Sequence, residues 1–188
     1  MHEGWRRGAP LYGGALLCDL PGSFRDASEI REVPDHQEVW VDDASDRSFI
    51  VEILEGKAEV PDEDAVAFFL ADLAAANEAC EPVLLQNRPA LLEEELPLLP
   101  AEARCFVGVG DQTVSKFRED RGNRVQVYAC VVRLAAQRTD VLLTLNDPVA
   151  IDAESSSGGL PVLDGAGEAF ARILRSFQIV DWGLFEPG

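Results

Sequence analysis

The chain has 188 residues, 47% of them hydrophobic, and carries a formal charge of −18 at pH 7 from 34 acidic and 16 basic side chains. That length and apolar content suit one compact domain over residues 1–188, with 1–10 expected to be a flexible N-terminal extension. So negative a field repels nucleic-acid backbones and anionic membrane surfaces and attracts a basic protein surface, although the plain reading of the charge alone is solubility.

In chain order, Arg6-Arg7 before "LYGGALLCDL" imitates a secretory leader, but Asp19 interrupts the apolar run and no small-x-small cleavage site follows. The stretch "LYGGALLCDLP" predicts an opening strand closed by Pro21-Gly22, with Gly13-Gly14 as a bulge or a point of close backbone approach. A short turn or helix is expected over "SFRDASEIR", capped by Ser23 or Asp26. The alternating stretches "EVWVD" and "SFIVEILE" predict a hairpin joined through "DASDR".

After Pro61, three acids in the first turn precede Val66, Phe69, Leu70 and Leu73 at helical spacing, which predicts an amphipathic helix. From Glu81 to Ala101, Pro82, Pro89, Pro97 and Pro100 predict an irregular connection with at most one helical turn. Three strands follow, within "ARCFVGVGDQTVSKF", "RVQVYACVVRLAAQ" and "TDVLLTLNDPV", linked by the short loops "REDRGN" and "QRTD". The middle one is apolar on both faces and so requires cover on both. "SSSGG" at 155–159 is expected to be a flexible loop, residues 165–177 a last helix, and "IVDWGLF" a segment that packs back on the body. Together these elements predict an α/β fold: a central, mainly antiparallel sheet of about six strands with helices on both faces.

The chemistry-bearing residues are sparse. Cys18, Cys80, Cys105 and Cys130 lie far apart and only His2 and His36 accompany them, so no zinc spacing and no cofactor is indicated, and free buried thiols in a reducing compartment are expected. The longest apolar runs, such as Val83-Leu84-Leu85, are far below the ~20 residues that span a bilayer, which predicts a soluble protein. "GVGDQTVSK" lacks the lysine spacing of a phosphate loop, so Gly108 and Gly110 are expected to serve close packing. Glu93, Glu94 and Glu95 read as a solvated run, and His36 as a solvated turn residue.

Acidity is concentrated early: residues 1–100 hold 22 acids against 7 bases, the remainder 12 against 9. Within that half, "REVPDHQEVWV" places Asp35 and Glu38 beside Pro34, their backbones no more than ~10 Å apart. The plain reading is a turn aspartate and an edge-strand glutamate. The sharper reading is a carboxylate pair presented for binding. A small carboxylate-dependent hydrolase would instead need such a pair in a closed apolar pocket.

The series Leu11-Tyr12-Gly13-Gly14-Ala15, Asp26-Ala27-Ser28, Arg31, Val33-Pro34-Asp35 and Gln37-Glu38-Val39, continued by "TDVLLTLNDP" and "VDWGLF", resembles the Ran guanine nucleotide release factors of the Mog family. The resemblance runs from Leu11 to Phe185 and is loose over residues 80–124. It implies a PsbP-like three-layer α/β/α sandwich, and a non-catalytic, monomeric protein of nucleus and cytoplasm. Such a protein binds the GTPase Ran, in its GTP-bound or nucleotide-free form, promotes nucleotide release and supports nuclear protein import. It further implies that Asp35 and Glu38 belong to the Ran-binding surface, with Arg31, Pro34 and Gln37 beside them. A photosystem extrinsic subunit would share the fold but calls for a basic docking face, which this composition lacks.

Overall fold

A computed structural model describes residues 4–115 and 122–186. Residues 1–3 of the expected extension and 116–121, most of the expected "REDRGN" loop, lie outside the described residues.

The fold is mixed α/β, and its large sheet has seven strands, all paired antiparallel: β3 (Phe24–Asp26), β4 (Gln37–Asp42), β5 (Ser48–Glu55), β9 (Thr139–Ala150), β8 (Asn123–Leu134), β7 (Arg104–Val114) and β6 (Cys80–Pro89), in that spatial order. A second sheet joins β1 (Trp5–Leu11), β2 (Leu16–Pro21) and β10 (Gln178–Ile179). The helices are α1 (Ala65–Ala76), the single turn α2 (Leu92–Glu95) and α3 (Ala166–Ser176).

The expected two-sided cover of β8 is present. Ala129 and Val131 cluster with Ala65, Val66 and Phe69 of α1, while Cys130 and Val132 cluster with Phe170, Ile173 and Leu174 of α3. Successive residues of a strand point to opposite faces, so the two clusters lie on the two sides of the sheet. Each fully buried Leu, Val or Phe among them contributes ~1.5–3 kcal/mol over its exposed state. Gly108 permits the close approach expected of it: a Cβ there would meet Gln86 O at 2.4 Å and Val66 Cγ1 at 2.5 Å.

Four expectations are corrected. Residues 5–10 are not a free extension but most of β1, whose Ala9 and Leu11 are buried and whose Trp5 ring lies 4.0 Å under the Arg172 guanidinium. "LYGGALLCDLP" is not one strand, because Tyr12, Gly13 and Gly14 all adopt positive φ and turn the chain into the β1–β2 hairpin. The first part of the stretch from Glu81 to Ala101 is not irregular: through Pro89 it belongs to β6, which pairs with β7 as an edge strand, where prolines are tolerated, and Pro82 falls in a register shift, while 90–101 holds the single helical turn expected. Finally, the serine loop is pinned, since Ser155 and Ser157 are buried and Ser157 Oγ donates to Asp46 Oδ2 at 2.8 Å.

All four cysteines are free, three of them buried and Cys80 exposed. Among the described residues no helix is long and apolar enough to cross a membrane.

Candidate protein-binding site

Asp26 ends β3 and caps the 3-10 turn Ala27–Glu29, accepting the Ser28 N–H at 2.8 Å. The chain then runs exposed through Ile30, Arg31 and Glu32 to a tight turn, in which the Gln37 N–H donates to Pro34 O at 2.9 Å. Pro34 enters that turn with its φ already restricted. Asp35 and His36 occupy the corner, and both are exposed.

Two tethers fix the corner from below. The Tyr12 hydroxyl lies 2.8 Å from His36 O and 2.9 Å from Val51 O, and the Ile53 N–H donates to His36 O at 2.9 Å. Burial first, then the Glu38 and Glu52 carboxylates, raise the Tyr12 phenol well above its ordinary value, so it remains a protonated donor.

β4 begins at Gln37, and strand alternation divides the motif between the two sheet faces. Gln37 and Val39 line a cavity of about 680 Å³ on the α1 side, whereas Trp40 packs in the core on the α3 side and Glu38 shares its face. Gln37 Nε2 donates to Glu52 Oε1 at 2.7 Å across the β4–β5 pair. Glu38 Oε1 accepts the Tyr12 backbone N–H at 2.6 Å. Burial raises the Glu38 carboxyl above its ordinary value, the Tyr12 N–H works against that rise, and Asp26 adds to it.

The expected residues therefore fall into two groups. Arg31, Pro34 and Asp35 are exposed, and Asp35 makes no hydrogen bond or ion pair among the described residues. Gln37 and Glu38 are half-buried and committed to internal hydrogen bonds. They do not form a twin carboxylate: one acid is presented by a turn that the other fastens in place. Neither sits in a closed apolar pocket, so the acid–base pair a hydrolase would need is not assembled here. Tyr12 and Glu52 were not singled out in the sequence, because their roles follow from contacts 24–39 and 15 residues away in the chain.

Glu95 also departs from the solvated run expected of it. It accepts from both terminal nitrogens of the Arg88 guanidinium at 2.8 and 2.9 Å and from the Leu91 N–H at 2.7 Å, while Glu93 and Glu94 are exposed.

A model of the Ran-interacting Mog1 protein family matches residues 9–148. The chain is 37% identical over 180 residues to the Ran guanine nucleotide release factor of Danio rerio, covering 94% of this chain and 98% of that one. It is 33% identical to the protein of the same name from Homo sapiens, covering 96% and 97%. It is 31% identical to the nuclear import protein mog1 of Schizosaccharomyces pombe, covering 93% and 98%. Among solved structures, the Ran-binding protein Mog1p of Saccharomyces cerevisiae superposes with a TM-score of 0.72 at 27% identity, covering 98% of this chain and all of that one.

Proposed function

As the chain belongs to the Ran-interacting Mog1 family, we propose that it binds the small GTPase Ran, promotes release of its guanine nucleotide and thereby supports nuclear protein import. The observation that carries the site is the Pro34–Gln37 turn, which holds an unpartnered Asp35 outward on a backbone fastened by Tyr12 and Ile53. Arg31 and Pro34 complete the contact face; Gln37 and Glu38 hold it in shape.

The mechanism is binding, not catalysis. GTPases keep their nucleotide through a lysine, backbone amides and magnesium around the phosphates, and their switch loops depend on that hold. A carboxylate presented without its own counter-ion competes for a basic group of that kind. Whatever binds the nucleotide-poor conformation better raises its population, and the nucleotide leaves. The charge of −18 adds encounter rate toward a basic partner. The protein acts as a monomer, in nucleus and cytoplasm, on the GTP-bound or nucleotide-free form, and without nucleic acid.

The test is direct binding of purified Ran in GTP-loaded, GDP-loaded and nucleotide-free forms, with release of a fluorescent nucleotide followed in parallel. Tighter binding to the GTP-loaded or nucleotide-free form, faster release, and an on-rate that falls with salt are expected. Equal release with and without the protein removes the proposal.

A further inference from the structure

Glu52 is the carboxylate on the cavity floor that the site described so far leaves without a charge partner. It is only 8% exposed, and among the described residues its side chain makes one hydrogen bond, from the neutral Gln37 amide at 2.7 Å, and no ion pair. A buried carboxylate is held in native proteins by cations or by several donors, so one amide leaves most of its acceptor capacity open.

The surroundings describe what would fill it. Of the two arginines that line the cavity, Arg47 is spent on Asp147 at 2.6 Å and on the Leu163 and Asp164 carbonyls. Arg31 stands exposed on the rim. Val39, Ile50, Leu54 and Leu73 supply apolar wall, and the open volume is about 680 Å³. The lining also holds Asp42, Asp46 and Asp72, so a cavity that sets these apolar side chains beside carboxylates fits an alkyl stem with a cationic head, the stem lying along apolar surface as Lys and Arg stems do. The cavity is also continuous with the binding turn: Gln37 belongs to both, and Arg31 links their edges.

We propose that this cavity receives a lysine or arginine side chain of Ran, with Glu52 as its counter-charge and Gln37 holding the carboxylate in position. The proposal rests on the Ran-binding reading above and adds to it a second, buried anchor beside the exposed Asp35.

Glu52→Gln keeps the shape of the side chain and an acceptor for Gln37 but removes the charge. The expected result is a loss of roughly tenfold or more in affinity for purified Ran, read mainly as faster dissociation, with a Tm equal to or above that of the wild type. A structural role would move Tm and affinity down together, and that outcome overturns the proposal. So does unchanged affinity in a variant whose wild-type parent binds Ran, an outcome that leaves the Asp35 turn standing. Wild-type protein that fails to bind Ran removes the underlying reading and this one with it. Glu94→Gln, on the exposed face of α2, is the control and is expected to alter neither quantity.

Discussion

The Tyr12 backbone N–H donates to Glu38 Oε1 at 2.6 Å, which joins the corner of the first hairpin to the strand that carries the acidic turn. Tyr12 holds a positive φ of 49° there, and its hydroxyl reaches back to His36 O, so a single residue grips the turn from both ends. Asp35 has no such attachment.

The two acids are therefore separable by stability. Glu38→Ala leaves a half-buried N–H without its charged acceptor and is expected to cost ~1–3 kcal/mol. Asp35→Ala removes an exposed side chain and is expected to stay within ~0.5 kcal/mol of wild type. Urea unfolding of both variants measures this, and equal stabilities would show that the Tyr12 contact contributes nothing.

Acid titration should distinguish Glu38 from Glu95, whose carboxyls are displaced in opposite directions from the ordinary 4.5. Burial raises Glu38, so the folded state holds its proton more tightly than the unfolded chain; the associated stability is present below 4.5 and is lost as pH rises through the raised value. Glu95 is lowered by the Arg88 hydrogen bonds, so its contribution is present above 4.5 and is lost as pH falls through the lowered value. Between pH 3 and 6, Tm of Glu38→Gln should decline less than wild type on raising pH, and Tm of Glu95→Gln should decline less on lowering it. Parallel curves for all three proteins would contradict both assignments.

Arg133 is the hub of a buried charge cluster. Its guanidinium meets Asp140 at 3.2 Å, Asp62 at 2.9 Å and Val60 O at 2.7 Å, and also bonds Lys57 O, so it clamps the 57–62 connection and the entry to α1 against β8 and β9. Arg133→Ala leaves Asp140, itself 2% exposed, with the Lys57 N–H but no charge partner, and is expected to cost ~3–5 kcal/mol. A loss under ~1 kcal/mol in chemical denaturation would mean that the cluster relaxes to water.

Thiol reactivity should follow burial. Burial pushes the Cys18 and Cys105 thiols up to about 12 and Cys130 well above its ordinary value, which leaves little thiolate to react, while Cys80 is exposed on the edge strand. Mass spectrometry after native alkylation is expected to show one modified cysteine, Cys80, and three more only after unfolding. Modification of the buried three in native protein would indicate opening of the main core.

The helices and inner strands were legible because their periodicities are plain: Phe170, Ile173 and Leu174 repeat at helical spacing, and Val127 to Leu134 alternates between two covered faces. The edges were harder to read. β1 carries two arginines and a register shift between Arg6 and Ala9 that includes Gly8 at positive φ, which breaks the two-residue period. β6 carries Pro82 and Pro89, which argue against an inner strand but not against an edge. At the site, residue type alone marks Asp35 and Glu38 as equals. Only strand register tells that Gln37 faces Glu52 and that Glu38 turns toward Tyr12, because that depends on contacts remote in sequence.

The most direct test of the account is the affinity of Asp35→Ala for purified nucleotide-free Ran, measured beside wild type and Glu94→Ala, with Tm recorded for each. If the turn is the contact face, Asp35→Ala binds Ran at least roughly tenfold more weakly and releases nucleotide more slowly, while its Tm and the Glu94→Ala control remain at wild-type values. Wild-type affinity and release in a folded Asp35→Ala protein would contradict the site.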